Sequence, residues 1–104
     1  MSLGFINGPV PEALDREVAA TPAEFERDLR KAWPGEVDAD TPLRLALADG
    51  ELELVVELEP IEPRRIGLLT LPRLIARYRF SGGDEAARRR LLERLDRAMQ
   101  RGGG

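Results

Sequence analysis

Four arginines of the last predicted helix, Arg90, Arg94, Arg97 and Arg101, recur at i, i+4, i+7 and i+11 behind the run Arg88-Arg89-Arg90. That spacing lines up guanidinium groups in one narrow stripe, a geometry able to grip phosphates or the carboxylates of a partner. The same stripe is also what an ordinary solvated helix end looks like, because Arg near a C-terminus complements the helix dipole. Glu93 and Arg97 form a favourable i, i+4 pair, while the helix opens with Asp84 and Glu85, where a phosphate needs positive potential. Nucleic-acid binding, to RNA above all, is therefore the alternative reading of this stripe and not the first.

The other reactive residue types lead to less. Glu36, Asp38 and Asp40 resemble the start of a calcium loop, but the sixth position from Asp38 is Leu43 where such a loop needs Gly, and the twelfth, Asp49, belongs to a turn. Ser81-Gly82-Gly83 before a helix suggests an anion cradle, yet Asp84 and Glu85 fill that place with negative charge and cap the helix themselves. Tyr78 is the only phenol and falls on a predicted core face. With no His and no Cys in 104 residues, Ser-His-Asp and Cys-His catalysis, redox dithiols and imidazole or thiolate metal sites are excluded. The expectation is a non-catalytic protein with no cofactor and no metal.

Charge and hydropathy bound the partners. The net charge is −3, but residues 1–63 hold 15 acids and 5 bases, and residues 64–104 hold 4 acids and 11 arginines. Such halves either present a basic face or pair with each other on folding. Fifteen Arg against the single Lys31 fit a GC-rich bacterial genome. No apolar run reaches the roughly 18 residues of a membrane span, and the start has neither a basic region nor a continuous apolar one, so a cytoplasmic location without membrane contact is expected.

The elements that would position these residues are read from periodicity. Leu14 and Val18, four apart after Pro11, permit a short helix over 11–19; residues 1–20 otherwise carry no pattern. Thr21-Pro22-Ala23-Glu24 predicts a capped helix start, with Phe25, Leu29, Ala32 and Trp33 on one face and Pro34-Gly35 as the stop. An acidic linker follows, Glu36 to Pro42. Then the period changes to two, and Leu43, Leu45 and Leu47 meet Val56, Leu54 and Leu52 across a predicted Asp49-Gly50 turn. Pro60 and Pro63 are expected to break the ladder. Arg65–Leu71 reads as a possible third strand whose Leu-Leu pair blurs the alternation, with Pro72 at a bend or strand start. Arg73–Phe80 alternates cleanly, with Arg73, Arg77 and Arg79 placed to pair with the glutamates of the hairpin. Ala87, Leu91, Leu95 and Ala98, with Leu92 and Met99, form the buried stripe of a helix over about 84–100, and Gly102–Gly104 form a flexible tail.

The expected fold is one α+β domain over residues 1–104. It is a two-layer sandwich of helix, three or four antiparallel strands and helix, with both helices on one face of the sheet. This order is similar to that of double-stranded-RNA-binding domains, but the likeness stops at topology: those have a Lys-rich start to the last helix and a longer first strand loop. Arg101-Gly102-Gly103-Gly104 follows a helix, unlike the conjugation tails of ubiquitin-like proteins, which follow a strand. Val55 and Ile75 interrupt the charged outer face of the sheet. They make protein contact, including self-association as a homodimer, the first expectation, through a surface of Val55, Ile75, Arg90, Arg94, Arg97 and Arg101.

Overall fold

The first helix forms where its capping signals lie. In the computed structural model, which describes residues 8–99, α1 runs Pro22–Ala32, and Thr21 and Glu24 close the capping box. The Glu24 amide donates to Thr21 Oγ1 at 3.1 Å, and the Thr21 amide donates to Glu24 Oε1 at 3.0 Å. Around it the chain forms β1 (Ala13–Val18), β2 (Asp38–Thr41), β3 (Arg44–Asp49), β4 (Leu52–Ile66), β5 (Leu69–Ser81) and α2 (Glu85–Met99). The strands make one antiparallel sheet in the order β1-β5-β4-β3-β2. It has five strands, not three or four.

Both added strands are edges that helical or linker patterns concealed. Residues 13–18 form β1 and not a helix: Leu14, Arg16 and Val18 are half-buried on alternate positions, and Ala13 to Val18 pair with Arg79 to Leu74. A helix there would bury two apolar side chains; the strand also satisfies the open amide edge of β5. The segment expected to be an acidic linker supplies β2 against β3 at the opposite edge.

The β3–β4 hairpin is present, but its register is two residues from the predicted one. Leu47 faces Leu54, Leu45 faces Val56 and Asp49 faces Leu52. The turn is therefore Gly50-Glu51. An Asp49-Gly50 turn of type I′ needs positive φ at both residues, whereas Gly50 alone has it here, at +65°. A shift of two preserves every face, so the leucines remain buried. Only Leu43, now ahead of β3, loses its cover and is 42 % exposed.

Pro60 and Pro63 do not break β4. The Leu58 amide donates to the Leu43 carbonyl at 2.8 Å, so the alternate position 60 also points toward β3, beyond that strand's start. A missing N–H costs no ladder bond there. Pro63 lies in a bulge between Ile61 and Arg64, where Glu62 and Pro63 oppose Pro72 within β5.

One hydrophobic cluster contains Phe25 and Leu29 of α1, Leu91, Leu92 and Leu95 of α2, and the strand residues Leu45, Leu47, Leu52, Leu54, Val56, Leu58, Leu74, Ala76, Tyr78 and Phe80. Each leucine removed from water in this way contributes about 1.5–3 kcal/mol. Ala98, expected in the stripe of α2, is exposed.

Candidate interaction surface

The side of the sheet opposite the leucines carries the charges, and those along its centre are paired. Arg77 bridges Glu59 on one neighbouring strand and Asp15 on the other, the latter at 2.8 Å. Arg79 reaches Asp15 at 3.0 Å and Arg73 reaches Glu17 at 3.1 Å. Arg44 binds Asp40 at 3.1 Å and approaches Glu57 at 3.7 Å. Of the pairing expected between the hairpin glutamates and Arg73, Arg77 and Arg79, one pair forms, Glu59 with Arg77; the other acids these arginines meet, Asp15 and Glu17, come from β1. The Arg79 guanidinium holds the Asp15 carboxyl below the usual range, helped by Arg77.

Val55 and Ile75 both lie half-buried on this outer side, yet not together. Val55 faces Arg79, Ile75 faces Glu59, and the Glu57–Arg77 pair lies between them. Ile75 instead continues diagonally to Ile61, and from there the face runs out onto an arm. Beyond Glu57 and Leu74, where β3 and β1 stop pairing, β4 and β5 continue as a two-stranded ribbon. The extra residue of the bulge reverses the sides of β4. Arg64 and Ile66 consequently join Leu71 and Leu69 on the outer side, in direct pairs. Ile66 is 52 % exposed, Leu69 62 % and Leu71 37 %, and Leu68 at the tip has no cover at all. The turn is Gly67-Leu68, with Gly67 at φ +59°. In the sequence this arm looks like one strand with spoiled alternation; the Leu-Leu pair that blurs it is the turn and its exit. Gly67 between two apolar runs was the available signal.

At the other end of the same outer side is an open hollow of about 340 Å³. Ala46, Ala48 and Val55 supply small apolar side chains to it, and Glu36, Asp38 and Glu53 supply carboxylates.

The arginines of α2 are dispersed. Arg88 donates to the Val10 carbonyl at 2.9 Å and Arg89 to that of Gly8, while the Val10 amide donates to Glu85 at 2.7 Å. These bonds clamp the N-terminal segment onto the first turn of α2, and the Val10 amide is the main reason the Glu85 carboxyl is held low. Asp84 caps the helix, accepting from the Ala87 amide at 2.8 Å. Arg94 lies over the Trp33 ring, 5.1 Å from its centroid. Arg90 shares an open hollow of about 480 Å³ with Asp49, Glu51 and Asp84. Arg97 is exposed, and Arg101 and the glycine tail lie outside the described residues.

Tyr78 packs within the core cluster with the Arg16 guanidinium 5.5 Å from its ring, and Arg16 binds Asp96 at 2.6 Å. Burial pushes the phenol up to about 12, which keeps it protonated at neutral pH. Asp38 and Asp40 lie on the β2 edge, and among the described residues no three acidic side chains gather as a metal ion requires. No helix of the described residues is long and apolar enough to cross a membrane. Comparison with protein-family models and with curated proteins gives no match.

Proposed function

We propose that this chain is a small non-catalytic interaction protein of the cytoplasm that docks another protein chain through its β4–β5 arm and needs no cofactor. The observation that carries this reading is the arm itself: Ile66, Leu68, Leu69 and Leu71 are all substantially exposed on a ribbon that no other element covers among the described residues. A contiguous apolar surface on a protruding element is unfavourable in water unless a partner removes it. Aliphatic side chains on a rigid hairpin also lose little entropy on docking. The body beneath is read as a two-layer sandwich with both helices on the leucine side, supported by the single cluster that α1 and α2 share with it. That arrangement leaves the outer side open to a partner.

The alternative, RNA binding through the stripe of α2, has less support. Arg88, Arg89 and Arg94 have intramolecular partners, and acidic side chains surround Arg90.

A photo-reactive amino acid in place of Leu68 tests the reading in living cells. Discrete protein adducts are expected from that position and not from exposed Glu12. Equal, diffuse labelling from both positions, or none, overturns it.

A further inference from the structure

We infer that the partner of the arm is a second copy of this chain, and that two copies exchange arms reciprocally, each arm lying in the acid-rimmed hollow of the other. This rests on the interaction reading above and adds the identity of the partner.

Two unmatched sets of charge carry the inference. Asp15, Glu17, Glu57 and Glu59 are all answered by arginines on neighbouring strands. Glu36, Asp38 and Glu53, around the hollow, form no ion pair among the described residues. Arg64, on the outer side of the arm, forms none either, nor does Arg65, which pairs with Thr70 on the opposite side of the ribbon. Between Pro60 and Arg73 the only acid is Glu62. The arm is thus apolar and basic, and the hollow is apolar and acidic. Ala46, Ala48 and Val55 leave space where Ile66, Leu69 and Leu71 project bulk. Complementary charge of this kind selects a partner and fixes its register.

The two surfaces cannot meet within one molecule. Along β4, Val55 and Ile66 are roughly 35 Å apart at the rise of an extended strand, in a molecule whose longest dimension is 45 Å. Both surfaces nevertheless face the same side of the sheet. Two copies laid outer side to outer side, related by a twofold axis, therefore make both contacts at once, and the assembly closes at two. Val55 in the hollow and Ile75 on the path to the arm then both lie within the contact.

Sedimentation and light scattering of the full chain test this. The wild type is expected at twice the 11.6 kDa chain mass. Arg64→Glu with Arg65→Glu is expected to give a folded monomer by circular dichroism, as is Asp38→Arg with Glu53→Arg. Mixing the two variants is expected to restore the dimer, because each reversed arm then meets a reversed hollow. A wild type that stays monomeric at high concentration overturns the inference, whatever the variants do, and so do variants that remain dimeric. If that monomer still gives protein adducts at Leu68, the interaction reading stands without this one. If it gives none, both fall. A monomer that floats with anionic lipid vesicles through Leu68 and Leu69 assigns the arm to a membrane surface and likewise overturns it.

Discussion

Ile66 and Leu69 stand directly opposite each other across the Gly67-Leu68 turn, both on the outer side of the ribbon and both more than half exposed. A cross-strand aliphatic pair usually helps to hold a hairpin against a core. Here it has no core beneath it, so its contribution to folding is small.

Stability should separate these arm residues from the sheet centre. Leu68→Asp with Leu69→Asp is expected to change the unfolding free energy of the monomer by no more than about 0.5 kcal/mol per site. Leu54, with no exposure and facing Leu47 and Phe80, is different. Leu54→Asp is expected to unfold the domain, since an unpaired buried charge costs more than a small fold can supply. Glu53→Lys, one residue away on the outer side, should leave the fold intact. Thermal melts followed by circular dichroism compare the three, and equal losses would contradict the faces described.

Two glycines of similar backbone conformation should differ in cost. Gly50 and Gly82 have φ of +65° and +70°, so an alanine at either position meets the left-handed penalty of about 1–2 kcal/mol. At Gly50 a Cβ meets open space, whereas at Gly82 it would stand 2.1 Å from the Glu51 carbonyl oxygen. Gly82→Ala is therefore expected to lower the urea midpoint well beyond Gly50→Ala. Equal midpoints would remove the close contact between the α2 entry loop and the β3–β4 turn.

Acid should act through two identified carboxylates. Hydrogen bonds from Arg79 to Asp15 and from the Val10 amide to Glu85 hold both groups below their ordinary values. Their contribution is complete above the unfolded-state values near pH 4 and is lost as pH falls through the lower folded values. Stability is expected to be level from neutral pH to about 5 and to decline below about 4. Asp15→Asn with Glu85→Gln should flatten that decline; an unchanged acid limb would assign it to other groups.

Alkali should act through Tyr78. Its buried phenol is raised to about 12, so the neutral form is the one the fold favours. That stabilisation is whole below the unfolded value of about 10 and is lost as pH rises toward 12. The ultraviolet absorbance of the phenolate is expected to appear near 12 or together with unfolding. Titration near 10 in the folded protein would show the ring open to water.

Charge reversal on α2 addresses the competing reading. Arg90→Glu with Arg97→Glu should leave the fold unchanged, because both side chains are exposed. The wild type is expected to show no salt-sensitive complex with single-stranded or duplex RNA near physiological salt. A micromolar affinity that falls steeply with salt and is lost in the variant would promote nucleic acid over protein contact.

What the sequence determined by itself is local. Thr21, Pro22 and Glu24 specify the start of α1 through hydrogen bonds that span three residues. The period-two leucines from 45 to 58 specify which side of the sheet is buried, because a face is decided by alternation alone. Asp84 specifies the start of α2 in the same local way. The tertiary structure decided the pairings and the ends of the strands. Ala13–Val18 has too little apolar surface to declare itself, and it becomes a strand because the open edge of β5 gives its amides partners and the arginines of β5 give its acids partners. Asp38–Thr41 joins the opposite edge, where the amides of β3 are open. Pro60 and Pro63 carry a strong local signal to stop, yet the strand continues because the nitrogen of position 60 points past the start of β3 and position 63 falls in a bulge. That bulge moves Arg64 and Ile66 to the outer side. The candidate surface was therefore written into the chain only as spoiled alternation, since which side a residue faces beyond a bulge depends on the strand across from it and not on its own sequence.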